Sequence, residues 1–238
     1  MPLLSLIRVQ LFSPIVFTVW AVLFFGNALS FSQSRDYALG HGQDYYAPRV
    51  SKDQIQTLAN VELHHLGPGF QQLKEKRYYQ ALGEFEFILR YYPNHPQALT
   101  SLSSMCLEAP NHCKAAEGWF DKALALNPNA SGTHLIYGFH LHRKRDTKAA
   151  VKAYQRAVEL DPDSVNAHYN LGLAHADLKD YDRANKHAQL SYQLGANLPG
   201  LRVRLEKLGK WNPDAVAAST DTAKSAEPAA PGDAGKTK

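Results

Sequence analysis

The sequence has little in it that reacts. Its 238 residues include only two cysteines and two methionines. No Gly-x-Ser-x-Gly, no His-Glu-x-x-His and no glycine-rich phosphate loop occurs. With none of these constellations, catalysis is not expected, and neither is a cofactor. Charge of one sign is also scarce. Lys and Arg number 26 against 22 Asp and Glu, for a net charge of +4, and the signs alternate as on solvated helix faces. No basic run interleaved with aromatics exists, which excludes a nucleic-acid surface. No cysteine lies between residues 20 and 32, so a lipid-modified N-terminal cysteine is excluded.

The N terminus is the exception to this even spread. One cation, Arg8, precedes an apolar run from Leu11 to Phe25, and small residues follow at Gly26, Ala28 and Ser30. That order is the order of a secretory signal peptide. The same stretch also reads as an uncleaved anchor, although Ser13, Pro14, Thr18 and Asn27 weaken it. Either reading puts the rest of the chain across a membrane, because Arg8 favours the inside. Residues 31–50 are polar and aperiodic and read as a linker or extended arm; packing of Tyr45, Tyr46 and Pro48 against the first helix is one reading, and a disordered tether is the favoured one.

From residue 62 onward one spacing recurs. Gly138, Ala150, Tyr154, Ala157 and Pro162 sit at offsets 0, 12, 16, 19 and 24, and Gly172 and Ala184 restart the series 34 residues on. Ala116, Phe120, Ala123 and Pro128 fit the ladder, as do Gly69, Ala81, Phe85 and Pro93. A period near 34 with small, aromatic and proline rungs is the mark of a helix–turn–helix solenoid. Each glycine falls where helix A meets helix B, with Ala150 and Ala184 facing it. The aromatic fills the space between repeats, and the proline stops helix B.

These residues resemble tetratricopeptide (TPR) repeats, in four copies over about residues 62–198. The resemblance implies an all-α solenoid of four repeats with a C-terminal capping helix, and a protein or peptide partner. Overall it also resembles exported bacterial TPR proteins, which implies a periplasmic location, either free or held at the inner membrane. The expected divisions are a signal peptide or anchor over 1–30, a linker over 31–50, the solenoid with an extra first helix over 51–211, and a disordered tail over 212–238.

Local signals refine this frame. Ser51 and Gln54 form a capping box, so a helix starts near Lys52. Gly67-Pro68-Gly69 should kink or break it near Leu66. Residues 199–210 carry Leu201, Leu205 and Leu208 on one stripe and suit the cap, with Trp211 folding back. Cys106 and Cys113 flank the turn of repeat two. In an exported protein such a pair reads as a disulfide. Metal or redox chemistry with His112 is the alternative, and Cys-x6-Cys suits neither well. Among the 11 histidines, His65, His134 and His168 share one helix-A register and read as wedge residues, not metal ligands. His140 and His142 point to different faces.

By register, the resemblance places groove residues at Leu63, Leu66, Phe70 and Leu73 in repeat one. Repeat two gives Ala98, Ser101, Met105 and Glu108. Repeat three gives Gly132, Leu135, Phe139 and His142, and repeat four Asn166, Tyr169, Leu173 and Ala176. Asn170 is the one amide beside them. Such a groove suits an apolar peptide or helix. Its residues read equally as packing against neighbouring helices. The function implied is an envelope scaffold or adaptor that holds a partner in this groove. The alternative is a membrane-tethered structural or assembly subunit of secretion or polysaccharide machinery, with no peptide site.

Overall fold

Glycine against ring sets how close the helices come. A Cβ on Gly69 would lie 2.7 Å from the Phe85 ring, and one on Gly138 would lie 2.5 Å from the Tyr154 ring. Only glycine lets those rings in. In repeat four the aromatic position is Ala188, and the space against Gly172 is filled instead by Leu201, 2.7 Å from a Cβ placed there. The facing alanine matters most at Gly172, where the Ala184 carbonyl is 3.3 Å away. In repeats one and three the ring reaches the glycine first.

The computed structural model describes residues 42–214, with the side chains of residues 112–115 outside the description. The leader or anchor expected over 1–30 lies outside the described residues. Every regular element described is helical. The order is α1 (Lys52–Val61), a π-helical segment (Glu62–Leu66), α2 (Gly67–Lys74), α3 (Tyr78–Tyr91), α4 (Pro96–Glu108), a 3₁₀ turn (Pro110–His112), α5 (Cys113–Leu126), α6 (Ser131–Arg143), α7 (Thr147–Leu160), α8 (Val165–Asp177), α9 (Tyr181–Gln193) and α10 (Gly200–Lys207). The pairs α2/α3, α4/α5, α6/α7 and α8/α9 are the four repeats, and α10 closes the stack against α8 and α9. Among the described residues no helix is long and apolar enough to cross a membrane.

The capping box forms as expected: Ser51 Oγ accepts from the Gln54 N–H at 3.2 Å, and Gln54 Oε1 accepts from the Ser51 N–H at 3.2 Å. Of the kink or break expected at Gly67-Pro68, a break does not occur. Gly67 keeps helical angles of φ −61° and ψ −55°, and the preceding turn widens into the π segment. Proline offers no N–H and crowds the carbonyl four residues back; a widened turn accommodates both effects without ending the helix.

The turns between A and B helices hold another departure. Lys76, Arg145 and Lys179 adopt left-handed angles, with φ of 57°, 70° and 62°. They close repeats one, three and four at equivalent positions, where glycine is the usual choice. At the far end Leu201 and Leu205 are buried, and Trp211 packs on the same cluster edge-on to Tyr192. Asn185 then accepts from the Asn212 N–H and donates to the Lys210 carbonyl, both at 2.7 Å. That ties the chain past residue 212; the tail from 215 lies outside the described residues.

Cys106 is buried and disulfide-bonded. The side chain of its expected partner, Cys113, is outside the description. Labelling with a thiol reagent tests the pairing: both cysteines should stay unlabelled in the native protein until a reductant is added, and ready labelling without it refutes the bridge. A second expectation concerns Tyr154. Its hydroxyl is buried without a partner among the described residues, and burial pushes its pKa up. The matching positions Phe85 and Phe120 have no hydroxyl. Tyr154→Phe should therefore leave urea stability unchanged or raise it by about 1 kcal/mol. Tyr154→Ala should lower it by about 3–5 kcal/mol. A Phe variant destabilised by more than 1 kcal/mol would overturn the unpartnered-hydroxyl reading.

Candidate functional site

The A helices carry the register positions expected to face a partner, but the structure sorts them into two groups. In repeat two, α6 packs directly on α4, so Ala98, Ser101 and Met105 are buried, Met105 at 1% exposure. Met105 belongs to the core with Leu102 and Phe120 and offers nothing to a ligand. In repeat four Tyr169 is 9% exposed. Its hydroxyl accepts from the Leu201 N–H at 3.1 Å, so the ring seats the cap rather than lining a groove. Both positions are corrections to the register-based expectation. The register gives a residue's face, not which helix covers it. Leu173 packs half-buried on the same cap cluster, and Leu135 on the core around Tyr154 and Leu171.

The remaining positions stay reachable. Phe139 is half-buried, with the Arg143 guanidinium over its ring at 5.2 Å. Arg143 also donates to Ser104 Oγ at 3.3 Å. Asn166 is exposed, and its carbonyl accepts from Asn170 Nδ2 at 2.8 Å. In repeat one Leu63 is 71% exposed, Leu73 is half-buried, and Phe70 lies near Phe85 with ring centroids 5.8 Å apart. Glu108 accepts from the Tyr78 hydroxyl at 3.0 Å.

A polar clasp crosses this face. His142 Nε2 on α6 lies 2.6 Å from Asp177 Oδ2 on α8, and Arg204 on α10 reaches Asp177 Oδ1 at 2.5 Å. Burial works against the Asp177 carboxylate, but the bonds from Arg204 and His142 outweigh it and hold its pKa below the ordinary range. The clasp ties repeat three, repeat four and the cap together beside Phe139. Sequence reasoning found His142 but neither acid nor base partner, because Asp177 and Arg204 lie 35 and 62 positions away along the chain.

The wedge histidines sit largely as expected. His134 Nε2 meets the Pro128 carbonyl at 2.8 Å and His168 Nε2 meets the Pro162 carbonyl at 2.9 Å. A carbonyl only accepts, so His168 carries its proton on Nε2. Its Nδ1 then accepts from His187 Nδ1 at 3.0 Å. His187 stacks in turn parallel to His175, 5.8 Å away. Among the described residues no three His, Cys, Asp or Glu side chains are arranged to hold a metal ion. Burial, and the neighbouring His168 and His175, hold His187 down to about 3. Burial likewise holds His140, bonded to Ser103 Oγ at 3.1 Å, down to about 4.

Comparison with known proteins comes to the same architecture. The sequence matches TPR-repeat profiles at residues 72–131, 141–179 and 165–194. It is 25% identical over 101 residues to the human Protein O-mannosyl-transferase TMTC3, covering 42% of this chain and 11% of that protein. Over 51 residues it is 29% identical to the Hsp70-Hsp90 organising protein of Plasmodium falciparum, covering 21% of this chain and 9% of that one. The chain thus spans about a tenth of the length of the curated relatives it matches. A solved Pseudomonas aeruginosa pilF structure superposes with a TM-score of 0.52 at 21% identity, covering 68% of this chain and 78% of that one. That likeness shows the fold.

The buried histidines generate a pH prediction. His140 stays neutral in the folded protein down to about 4 and titrates near 6.5 when unfolded. The unfolded chain therefore binds more protons between those values. Its contribution is complete above pH ~6.5 and is lost as pH falls toward 4, with a slope near 1.4 kcal/mol per pH unit for one such group. Urea unfolding at pH 7 and at pH 4.5 should show the fall, and His140→Leu should make it shallower by about one such group, leaving the share of His187. An equal slope in wild type and variant rejects His140 as the cause.

Proposed function

We propose that this chain, which belongs to the tetratricopeptide repeat family, is a non-catalytic protein–protein interaction scaffold of the cell envelope. It holds a partner segment on the A-helix face of repeats three and four. The observation that carries this reading is the state of Phe139. It stays half-buried and reachable while Met105 and Tyr169 at neighbouring register positions are covered. Arg143 lies over its ring and the His142–Asp177–Arg204 clasp lies on the same face. An apolar side chain beside fixed charge suits a short amphipathic helix or peptide. Export rests on the order of charge, apolar run and small residues over 1–30 and on the disulfide-bonded Cys106.

One observation favours the second reading, a tethered structural subunit without a peptide site. The burial of Met105 and Tyr169 leaves a narrower surface than the register implied. Crosslinking capture from the envelope separates the two. Phe139→Ala should weaken partner capture at least tenfold, as for a central anchor residue. Tyr79→Ala, at an 80% exposed position on α3, should change nothing. Capture indifferent to Phe139→Ala leaves the structural-subunit reading standing and removes the groove.

A further inference from the structure

The stretch read from sequence as a linker docks in a defined site. Residues 43–47 lie along the B-to-A turns of repeats one to three. The Gln43 N–H donates to the Tyr91 carbonyl at 2.6 Å. The Asp44 carboxylate is shared between two amides from successive turns: Asn94 Nδ2 donates to Oδ1 at 2.6 Å and Asn127 Nδ2 to Oδ2 at 2.7 Å. Asn94 also reads the backbone, accepting from the Tyr45 N–H at 2.8 Å. The segment is itself a turn, with the Ala47 N–H donating to the Asp44 carbonyl at 3.2 Å and the Tyr46 N–H to Asp44 Oδ1 at 3.0 Å. Tyr45 stands edge-on to His95 at 4.8 Å. A Cβ on Gly132 would collide with the Tyr46 hydroxyl, so glycine at 132 makes its room.

The receiving side is preformed. Asn94 and His95 are fully buried. His95 Nδ1 caps α4 by accepting from the Ala98 N–H at 3.3 Å, and its Nε2 meets Glu62 of the π segment at 3.0 Å. The arm, by contrast, lies outside the apolar core. Neither Tyr45 nor Tyr46 belongs to any of the buried apolar clusters. A surface that reads one carboxylate with two amides, one backbone N–H and two ring positions is a recognition site by its chemistry.

We propose that this turn edge is a second peptide site, separate from the A-helix face, selective for an acidic turn of the type Asp-Tyr-Tyr. The chain's own residues 43–47 fill it in cis. A partner segment of the same chemistry binds by displacing them. The tethered arm competes at an effective concentration on the order of millimolar, so the unmodified chain is self-occluded.

The test uses the full chain and a fluorescent synthetic peptide with the sequence of residues 42–49. Asp44→Ala with Tyr46→Ala releases the arm, and circular dichroism checks that helicity is kept. The released chain should bind the peptide at least tenfold more tightly than wild type. Adding Asn127→Ala to it should reverse the gain. In wild type, millimolar peptide should accelerate hydrogen exchange at the Gln43 and Tyr45 amides, and this readout decides alone if the released chain loses helicity. Equal binding to both chains, binding indifferent to Asn127→Ala, or no binding together with unchanged exchange in wild type each overturns the proposal.

Discussion

The structure depends on the depth to which a ring can enter beside a glycine. In repeats one and three, Phe85 and Tyr154 press against Gly69 and Gly138 so closely that any Cβ would collide with them. Those rings are fully buried, and such contacts dominate core energetics in a fold whose repeats cannot bury their faces alone. Repeat four keeps the glycine but lacks the ring, since Ala188 stands in its place. The stack there is incomplete until Leu201 of α10 enters. The cap is thus part of the last repeat's core. That requirement also explains Tyr169, whose hydroxyl is drawn to the Leu201 N–H and away from any ligand.

Much of this was legible in the sequence, because small, aromatic and proline rungs at one period leave few alternatives. Helices α3 to α9 fall where the ladder puts them, and the capping box at Ser51 begins the first helix. What escaped has physical causes. The widened turn before Pro68 is one of two responses to the same lost N–H, and the sequence does not choose between them. Left-handed angles at Lys76, Arg145 and Lys179 carry no composition signal, since sequence rules look there for glycine or asparagine. Met105 and Tyr169 were placed on the right face, but their coverage by α6 and α10 is tertiary. The docked arm did leave a trace. Asn94 and Asn127 flank consecutive repeat-ending prolines, and Asp44 is the one acid near Tyr45 and Tyr46.

Histidine does three different jobs here, each fixed by the partner's hydrogen-bonding capacity. At 134 and 168 it ties the start of an A helix to the carbonyl of the preceding proline. At 95 the same kind of turn uses the ring as an N-cap, which leaves Nε2 to meet Glu62. At 142 it faces a carboxylate across helices. His95 and His142 both meet a carboxylate, but His95 is fully buried, and burial pushes its pKa down despite Glu62.

The two proposed recognition surfaces meet in one element, α6. Gly132 in its first turn receives Tyr46, and Phe139 two turns later faces the groove. Coupling between them requires α6 to have two arrangements that the ligands prefer differently. A slide along its axis would drive the Gly138 backbone into the Tyr154 ring, already at the limit of approach. A rotation would carry His142 away from Asp177 and break the clasp to α8 and α10. The first motion is opposed by a contact in the core and the second by the partly exposed clasp. These contacts hold α6 as a strut between the two surfaces.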